Sequence, residues 1–363
     1  MSIKKRQVLV ALGWSDQRLH RGVARYAQEH GWHLSPQLVR KKTIPWGWKG
    51  DGILSWLGMG DELAELVTDA KVPTVDFSLE RPDIKIPRVI EDHAHGAQLV
   101  AKLFSSRGFI HFIFYGNAAK CSHQVRGKAF VETLKRSGYG CIYFQWPQSS
   151  SSCSWPERRK NHLRTLVSYL KLAPKPLAVF AASGNLAIEV LECCETVKLK
   201  VPKDVAIVGA ENCLLAPDAL RIPISSVDTN LETMGHYGAR LLDDIMSGIQ
   251  PPSSSVRVPA AGLVVRRSSE IFAVNHEFVA RTLRLIQERH ESITVKDLAR
   301  ALVISPRALH NEFLKHLKCI PGQALRNARI ERAKRLLAEP ANHKLEAVAS
   351  ACGLRGANSL CVR

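Results

Sequence analysis

The feature that most constrains the fold is a repeated alternation of short apolar runs and amphipathic segments over the first ~265 residues. Runs such as "QVLVAL" (7–12), "LAVFAA" (177–182) and "DVAIVGA" (204–210) predict strands that are covered on both faces. The segments between them, such as "DQRLHRGVARYAQEHGW" (16–32), space their apolar residues like helices. Repeated strand–helix–strand units predict parallel sheets with helices on both faces, and their number indicates two lobes.

After Ile271 the apolar period becomes purely helical. The stretch at 247–260 is interpreted as a turn-rich connection, and "AGLVVRRSS" (261–269) as a last strand. The sequence therefore predicts an α/β two-lobed domain over 1–268, followed by an all-α domain over 269–363.

Charge is concentrated in the C-terminal part. The chain has a formal net charge of +18, and 273–363 carries 16 Lys/Arg and 8 Asp/Glu against 35 and 25 in the other 272 residues. Such a balance favours a polyanionic partner, nucleic acid first and an anionic membrane second, although a merely soluble basic surface fits as well. No stretch reaches the about 18 apolar residues of a membrane span, so we expect no membrane partner.

Targeting and redox signals are weak. The N-terminal "KKRQVLVALGW" has too short an apolar run for a signal peptide and reads better as a first strand. The nine cysteines show no CxxC spacing, which favours reduced thiols in a cytoplasmic protein.

Two consecutive helices are predicted in "TVKDLARALVISPRALHNEFLKHL" (294–317). Thr294 and Asp297 have the spacing of a capping box, and Ser305 followed by Pro306 suits the start of the second helix. That helix turns its apolar residues inward and leaves four polar residues outward: Arg307, His310, Asn311 and Lys315. Arg can pair with guanine, Asn with adenine and Lys with phosphate, as a helix in the DNA major groove requires. An ordinary solvated helical hairpin is the alternative.

Together with "RNARIERAKRLL" (326–337) and "EAVASACGL" (346–354), this segment resembles the AraC/XylS-type DNA-binding domain over about 273–363. The resemblance implies two helix-turn-helix units joined by a long helix, with both second helices, the latter including Asn358, facing promoter double-stranded DNA. Val303 stands where the family has a turn glycine, which is costly if the residue needs positive φ.

The second recognition helix begins near 356, only a few residues before Arg363. We therefore expect the second unit to be incomplete, with 341–363 poorly ordered and three apolar residues without packing partners: Val348, Ala349 and Leu354. The alternative function is then a sugar-binding module whose DNA binding is weakened or lost.

The first ~268 residues resemble the sensor half of lac-repressor-like regulators, which have the periplasmic-binding-protein fold. The resemblance rests on "LAVFAASGNLAIEVLE", "DVAIVGAEN" and "PISSVDTNLETMGHYGARLLDDIMSG". It implies a small sugar between the lobes, a pentose, with xylose as one candidate. Glu211 replaces the usual Asp, and Gly184 replaces one residue of a polar pair. The implied effector-binding residues are Ser15, Asp16, Gln17, Arg126, Ser183, Asn185 and Glu211.

The two halves in this order resemble the XylR family of xylose-operon transcription regulators, which implies a homodimer. The "EDHAH" segment (91–95) contains metal-ligand residue types but lacks a second cluster, so a capping role at a strand-to-helix corner is favoured. We find no paired-carboxylate or Ser-His-Asp pattern and no dinucleotide motif. The sequence thus predicts a regulator that is not an enzyme and needs no cofactor or metal.

Overall fold

The structure is a computed structural model that describes residues 5–14, 16–35, 44–58, 60–146, 155–212, 220–273, 277–317, 319–338 and 344–359. It has the two-lobed α/β architecture and the helical C-terminal domain that the sequence predicts. No helix among these residues is both long and apolar enough to span a bilayer.

Lobe 1 is built on a parallel sheet of order β2-β1-β3-β4, whose strands are β1 (Gln7–Leu12), β2 (His33–Ser35), β3 (Gly52–Trp56) and β4 (Thr74–Asp76). Two short strands, β5 (Val89–Glu91) and β11 (Val256–Val258), pair in parallel beside it, and a bridge from Asp76 to Arg88 connects them to β4. Its helices are α1 (Gln17–Glu29), α2 (Glu62–Ala70) and α7 (Leu231–Met246), which returns from lobe 2. One apolar cluster lies between this sheet and α1 and α7, and a second lies on the other face of the sheet against α2.

Lobe 2 has a six-stranded sheet of order β12-β10-β9-β8-β6-β7. Its strands are β6 (His111–Asn117), β7 (Ile142–Trp146), β8 (Leu177–Ala181), β9 (Val205–Gly209), β10 (Ser225–Asp228) and β12 (Gly262–Val264), which alone is antiparallel to its neighbour. The helices are α3 (His93–Ser106), α4 (Cys121–Arg136), α5 (Trp155–Leu172) and α6 (Gly184–Thr196). Apolar clusters on both faces of the sheet explain why its central strands are continuous apolar runs.

The chain crosses between the lobes three times, in hinge segments at 91–93, 228–231 and 258–262. Backbone bonds tie them together: the Asp92 amide donates to the Val258 carbonyl at 2.8 Å, and the Ala261 amide donates to the Asp228 carbonyl at 2.9 Å. The prediction of a turn-rich connection over 247–260 is therefore wrong at its end, because 256–258 form β11. A three-residue strand beside serines and prolines gives too short a pattern to recognise.

Helices α1 and α7 cross in direct backbone contact at two glycines. A Cβ on Gly22 would lie 1.9 Å from the Glu232 carbonyl oxygen, and one on Gly235 would lie 2.3 Å from the Leu19 carbonyl oxygen. Any side chain at either position would push the helices apart, so these glycines fix how closely α7 packs on lobe 1.

The C-terminal domain contains α8 (Glu277–Arg289), α9 (Val295–Ala301), α10 (Pro306–Leu317), α11 (Pro321–Ala338), α12 (Leu345–Ala351) and a 3₁₀ turn at Ala357–Ser359. The predicted capping box is confirmed: the Asp297 amide donates to Thr294 Oγ1, and the Thr294 amide donates to the Asp297 carboxylate at 3.0 Å. Ser305 accepts from the Ala308 amide at 3.1 Å, which confirms it as the cap of α10.

The domain contains two corners of the same shape, 50 residues apart. Val303 has φ 57° and Gly353 has φ 68°, and each follows the end of a short helix. The next amide closes each turn, from Ile304 to the Ala299 carbonyl and from Leu354 to the Ala349 carbonyl. The left-handed conformation foreseen as costly for valine is therefore present.

The prediction that Val348, Ala349 and Leu354 lack packing partners is wrong. Val348 and Ala349 are buried, and Val348 forms a small apolar cluster with Ala333 of α11 and with Cys352, against which Leu354 packs. The predicted poor order of 341–363 concerns a range in which the structure forms α12, while 341–343 and 360–363 lie outside the described residues. Helix α11 supplies packing partners that the sequence analysis expected only from a later helix.

The chain passes from lobe 2 to the helical domain through 271–273. Ile271 and Ala273 pack on the lobe 2 core, whereas Phe272 packs on the helical core. The Arg107 guanidinium donates to the Ser269 carbonyl, and the Ala273 amide donates to the Arg107 carbonyl at 2.8 Å. The connection is thus anchored to α3 on both sides of Phe272.

Candidate functional sites

A buried charged cluster lies where lobe 2 meets the first hinge segment. The Arg126 guanidinium, on α4, donates to Glu91 at 2.6 Å, to Glu211 at 3.2 Å and to the Ala182 carbonyl at 2.6 Å. Glu91 ends β5, Ala182 follows β8 and Glu211 follows β9. The cluster therefore lies at carboxyl ends of parallel strands, where open α/β sheets bind ligands.

In this Arg126 cluster, the pKa values of the two carboxyl groups shift in opposite directions. Burial acts to raise the pKa of Glu91, but Arg126 and His93 outweigh it and hold that pKa at about 2. For Glu211, burial raises the pKa, and neighbouring Glu91 adds to this against the opposing effect of Arg126. Glu91 and Arg126 thus form the firm ion pair, and Glu211, whose side chain keeps 28% exposure, is the member that can reach a ligand.

Glu211 is held in an unusual backbone conformation. Its φ is 80°, and the next residue, Asn212, has φ 40°. Asn212 is braced on both sides, because its amide donates to Ser226 Oγ at 2.9 Å and its side-chain oxygen accepts from Arg266 at 3.0 Å. Strained residues that their surroundings hold in place are typical of ligand sites.

Two buried histidines, His93 and His123, lie beside the cluster. Burial, with the positive charge of Arg126 adding to it, lowers the pKa of His93. Burial likewise lowers the pKa of His123 to about 3, and its Nδ1 accepts the Asn117 amide at 3.1 Å. The surroundings of both histidines therefore disfavour the protonated imidazole.

Lobe 1 faces this region with the turn after β1. Asp16 caps α1 by accepting the Arg18 amide at 2.8 Å, and its carboxylate also pairs with the Arg18 guanidinium at 2.9 Å. Arg18 reaches across to lobe 2 and donates to the Glu211 carbonyl at 2.7 Å. Gln17 is exposed at the first position of α1, and Ser15 lies outside the described residues.

The remaining predicted effector residues lie at the start of α6. The Ser183 side chain caps this helix by accepting the Leu186 amide at 3.4 Å, so its oxygen is already engaged. Asn185 is exposed in the first turn. The structure thus brings Arg126 and Glu211 together, with Asp16 linked to them through Arg18, and leaves Gln17 and Asn185 at the surface.

Two features of this region, Glu91 and Arg18, escaped sequence reasoning. Glu91 appeared only within the "EDHAH" segment, whose Asp92 does cap α3 by accepting the His95 amide at 3.0 Å, as predicted for that corner. Arg18 carried no recognisable motif. Trp14 and Trp56 form a tilted pair with centroids 4.7 Å apart at the ends of β1 and β3. Trp56 is the last residue of β3, and Trp14 lies two residues beyond the end of β1.

A second candidate surface is the outer face of α10. Leu309, Phe313 and Leu317 are buried in the helical core. The four predicted DNA-facing residues are all exposed: Arg307, His310, Asn311 and Lys315. Asn358 is exposed in the 3₁₀ turn that follows the second corner. The partition of α10 into buried and exposed faces is therefore as predicted.

Two family models match the chain. A periplasmic binding protein-like domain matches residues 101–269, and a helix-turn-helix domain matches residues 298–362. The xylose operon regulatory protein of Haemophilus influenzae is 24% identical over 297 residues, covering 80% of this chain and 75% of the relative. That of Escherichia coli K12 is 22% identical over 339 residues, covering 89% and 84%. In domain composition and order, the chain is an XylR-type transcription regulator.

Solved structures support the same fold for this regulator. The structure of the xylose-binding transcription activator xylR matches with a TM-score of 0.63 and 19% identity, covering 99% of this chain and 94% of that one. A complex of the transcriptional regulator CelR with cellobiose matches with a TM-score of 0.56 and 22% identity, covering 74% and 86%. The regulator therefore combines a periplasmic-binding-protein-like domain with an AraC-type helix-turn-helix domain.

Proposed function

We propose that this regulator senses a small neutral sugar between its lobes and that sugar binding controls how its C-terminal domain contacts promoter DNA. The observation that carries the proposal is the Arg126 cluster, in which a buried guanidinium and two carboxylates converge at the ends of parallel strands. Such a cluster supplies fixed donors and acceptors for hydroxyl groups. Trp14 and Trp56 add an aromatic surface against which a sugar ring can pack.

The charge of the cluster favours a neutral ligand. Glu91 and Glu211 outnumber Arg126, and the Arg18 guanidinium that reaches Glu211 is already paired with Asp16. A phosphate or acid group would therefore meet repulsion. Because the named relatives are xylose operon regulators and a xylose-binding activator, we propose a pentose, with D-xylose as the first candidate. Asp16, Gln17, Ser183 and Asn185, together with Ser15, complete the proposed effector set.

Calorimetric titration of the full chain with D-xylose, other pentoses and a pentose phosphate tests this proposal. Glu211→Gln preserves shape but loses a charged acceptor, so we expect roughly 10- to 100-fold weaker binding. Arg136→Met is the matched control. Arg136 is exposed at the end of α4, the helix that carries Arg126, and this variant should bind like the wild type. Equal binding of the pentose phosphate and the pentose would contradict the charge argument.

For DNA, we propose that Arg307, His310, Asn311 and Lys315 of α10 read one major-groove segment and that Asn358 lies at the next. Their exposure on one face, in a domain with excess positive charge, supports this. Cytoplasmic location and homodimerisation are further parts of the proposal. We also retain 1–268 and 269–363 as the proposed sensing and DNA-binding units.

Binding to a promoter fragment should fall steeply with salt, by about 0.9 in log K per tenfold rise in salt for each neutralised phosphate. Arg307→Ala should weaken binding by about 1–3 kcal/mol. Lys296→Ala, exposed on α9, is the control. Unchanged binding between about 50 and about 300 mM salt would refute the electrostatic contribution. Sugar binding without any DNA binding would instead support the alternative, a sugar-binding module with lost DNA function.

A further inference from the structure

Helix α4, which carries Arg126, begins without a cap of its own. The residue before it, Lys120, has the extended backbone of a cap position (φ −106°, ψ 119°) but makes no side-chain capping bond. The capping acceptor is instead Glu80, whose carboxylate receives the Cys121 amide at 2.9 Å, the Ser122 amide at 3.2 Å and the Ser122 hydroxyl at 2.6 Å. A carboxylate at this end of a helix also interacts favourably with its dipole.

Glu80 belongs to the opposite lobe. It lies in the loop that follows β4 of lobe 1, and its amide donates to Ser78 Oγ at 2.9 Å. Ser78 is buried and in turn donates to the Leu57 carbonyl of lobe 1. The carboxylate is thus anchored in one lobe while it caps a helix of the other.

Opening the lobes would therefore remove the cap from α4. The same helix presents Arg126 one turn further on to Glu91 and Glu211. A second bond between the lobes, from Arg18 to the Glu211 carbonyl at 2.7 Å, ends on the same cluster. Because Glu80 caps α4 only when the lobes are closed, the free energy of the cap stabilises the closed state. It therefore also strengthens the binding of any ligand that binds the closed state.

We infer that Glu80 is a positioning residue for effector binding, which caps α4 from lobe 1 and so stabilises the closed lobes around the Arg126 cluster. The predicted effect of Glu80 on sugar affinity rests on the proposed sugar-sensing function. The effect on lobe closure itself does not depend on which ligand binds. A cap of ordinary strength corresponds to roughly a 2- to 30-fold shift of the closed population.

The test separates helix stability from lobe closure. Glu80→Gln in the full chain loses the charge of the cap and one of its acceptor oxygens. Lys120→Ser in that background supplies a cap within α4 that works whether the lobes are open or closed. Lobe closure is measured by energy transfer between two dyes. The dyes are attached to unnatural amino acids at two exposed positions, Glu65 of α2 and Lys135 of α4. Hydrogen exchange of 121–123 reports the helix end, and Glu132→Gln, exposed on α4, is the control.

We expect Glu80→Gln to shift the distribution towards open lobes and to weaken D-xylose binding by a similar factor, roughly 2- to 30-fold. Adding Lys120→Ser should restore exchange protection at 121–123 without restoring closure or affinity. An unchanged dye distribution in Glu80→Gln would overturn the inference, as would recovery of closure by Lys120→Ser. If the wild type does not bind D-xylose but Glu80→Gln still opens the lobes, the proposed sugar fails and the role of Glu80 stands.

Discussion

Replacing Val303 by glycine should stabilise the first helix-turn-helix corner. Val303 has φ 57°, where a side chain costs roughly 1–2 kcal/mol. Its side chain is 91% exposed, so its removal gives up little burial. Glycine adds freedom to the unfolded chain worth about 0.4–1 kcal/mol, which leaves a net gain of about 0.5–1 kcal/mol.

Hydrogen exchange of the full chain measures this gain locally. Amides of α9 and α10 should exchange roughly 2- to 5-fold more slowly in Val303→Gly, because about 1.4 kcal/mol corresponds to a factor of ten. Val303→Ala retains a Cβ at positive φ and should recover little of the gain. Equal protection in the glycine and alanine variants would refute the argument from backbone strain.

The second corner supplies the reciprocal change. Gly353 has φ 68°, and a Cβ there would lie 2.0 Å from the Glu291 carbonyl oxygen. Gly353→Val should therefore destabilise its corner by about 2 kcal/mol or more, through strain and clash together. We expect Val303→Gly to raise the stability of its corner and Gly353→Val to lower it. Together these opposite effects test whether the two corners share one geometry.

Three further predictions concern other parts of the chain. Gly22→Ala should lower the unfolding free energy by about 2 kcal/mol or more in urea denaturation, because its Cβ would meet the Glu232 carbonyl. Burial lowers the pKa of His162 from 6.5 to about 4, so the unfolded chain binds more protons and stability falls as pH drops through that range. Urea denaturation at stepped pH should show a smaller fall in His162→Phe, which keeps a ring against Phe144 and Trp146, the rings on which His162 stacks. Arg329→Ala should weaken exchange protection in the turn after α8 by about 1.5–3 kcal/mol, since its guanidinium donates to the His290 and Ile293 carbonyls.

Much of the fold could be predicted from local pattern. The segment at 16–32, predicted as a helix, forms Gln17–Glu29, and the strand predicted at 204–210 forms Val205–Gly209. Strands such as 7–12 were placed correctly because continuous apolar runs are long enough to recognise. The short β5 and β11 escaped, since their pairing involves residues about 167 apart in the chain, as between Val89 and Val256.

The sequence alone determined the class of each half and the polar and apolar faces of α10, and it singled out Arg126 as a predicted effector-binding residue. These follow from periodicity, from residue chemistry and from a resemblance in motif order. Only the tertiary structure decided which groups meet Arg126: Glu91 lies 35 residues away along the chain and Glu211 lies 85 away. It also decided that Glu80 caps α4 from the opposite lobe. Local sequence sets the shape of each element, but contacts between distant segments depend on how the lobes fold and close.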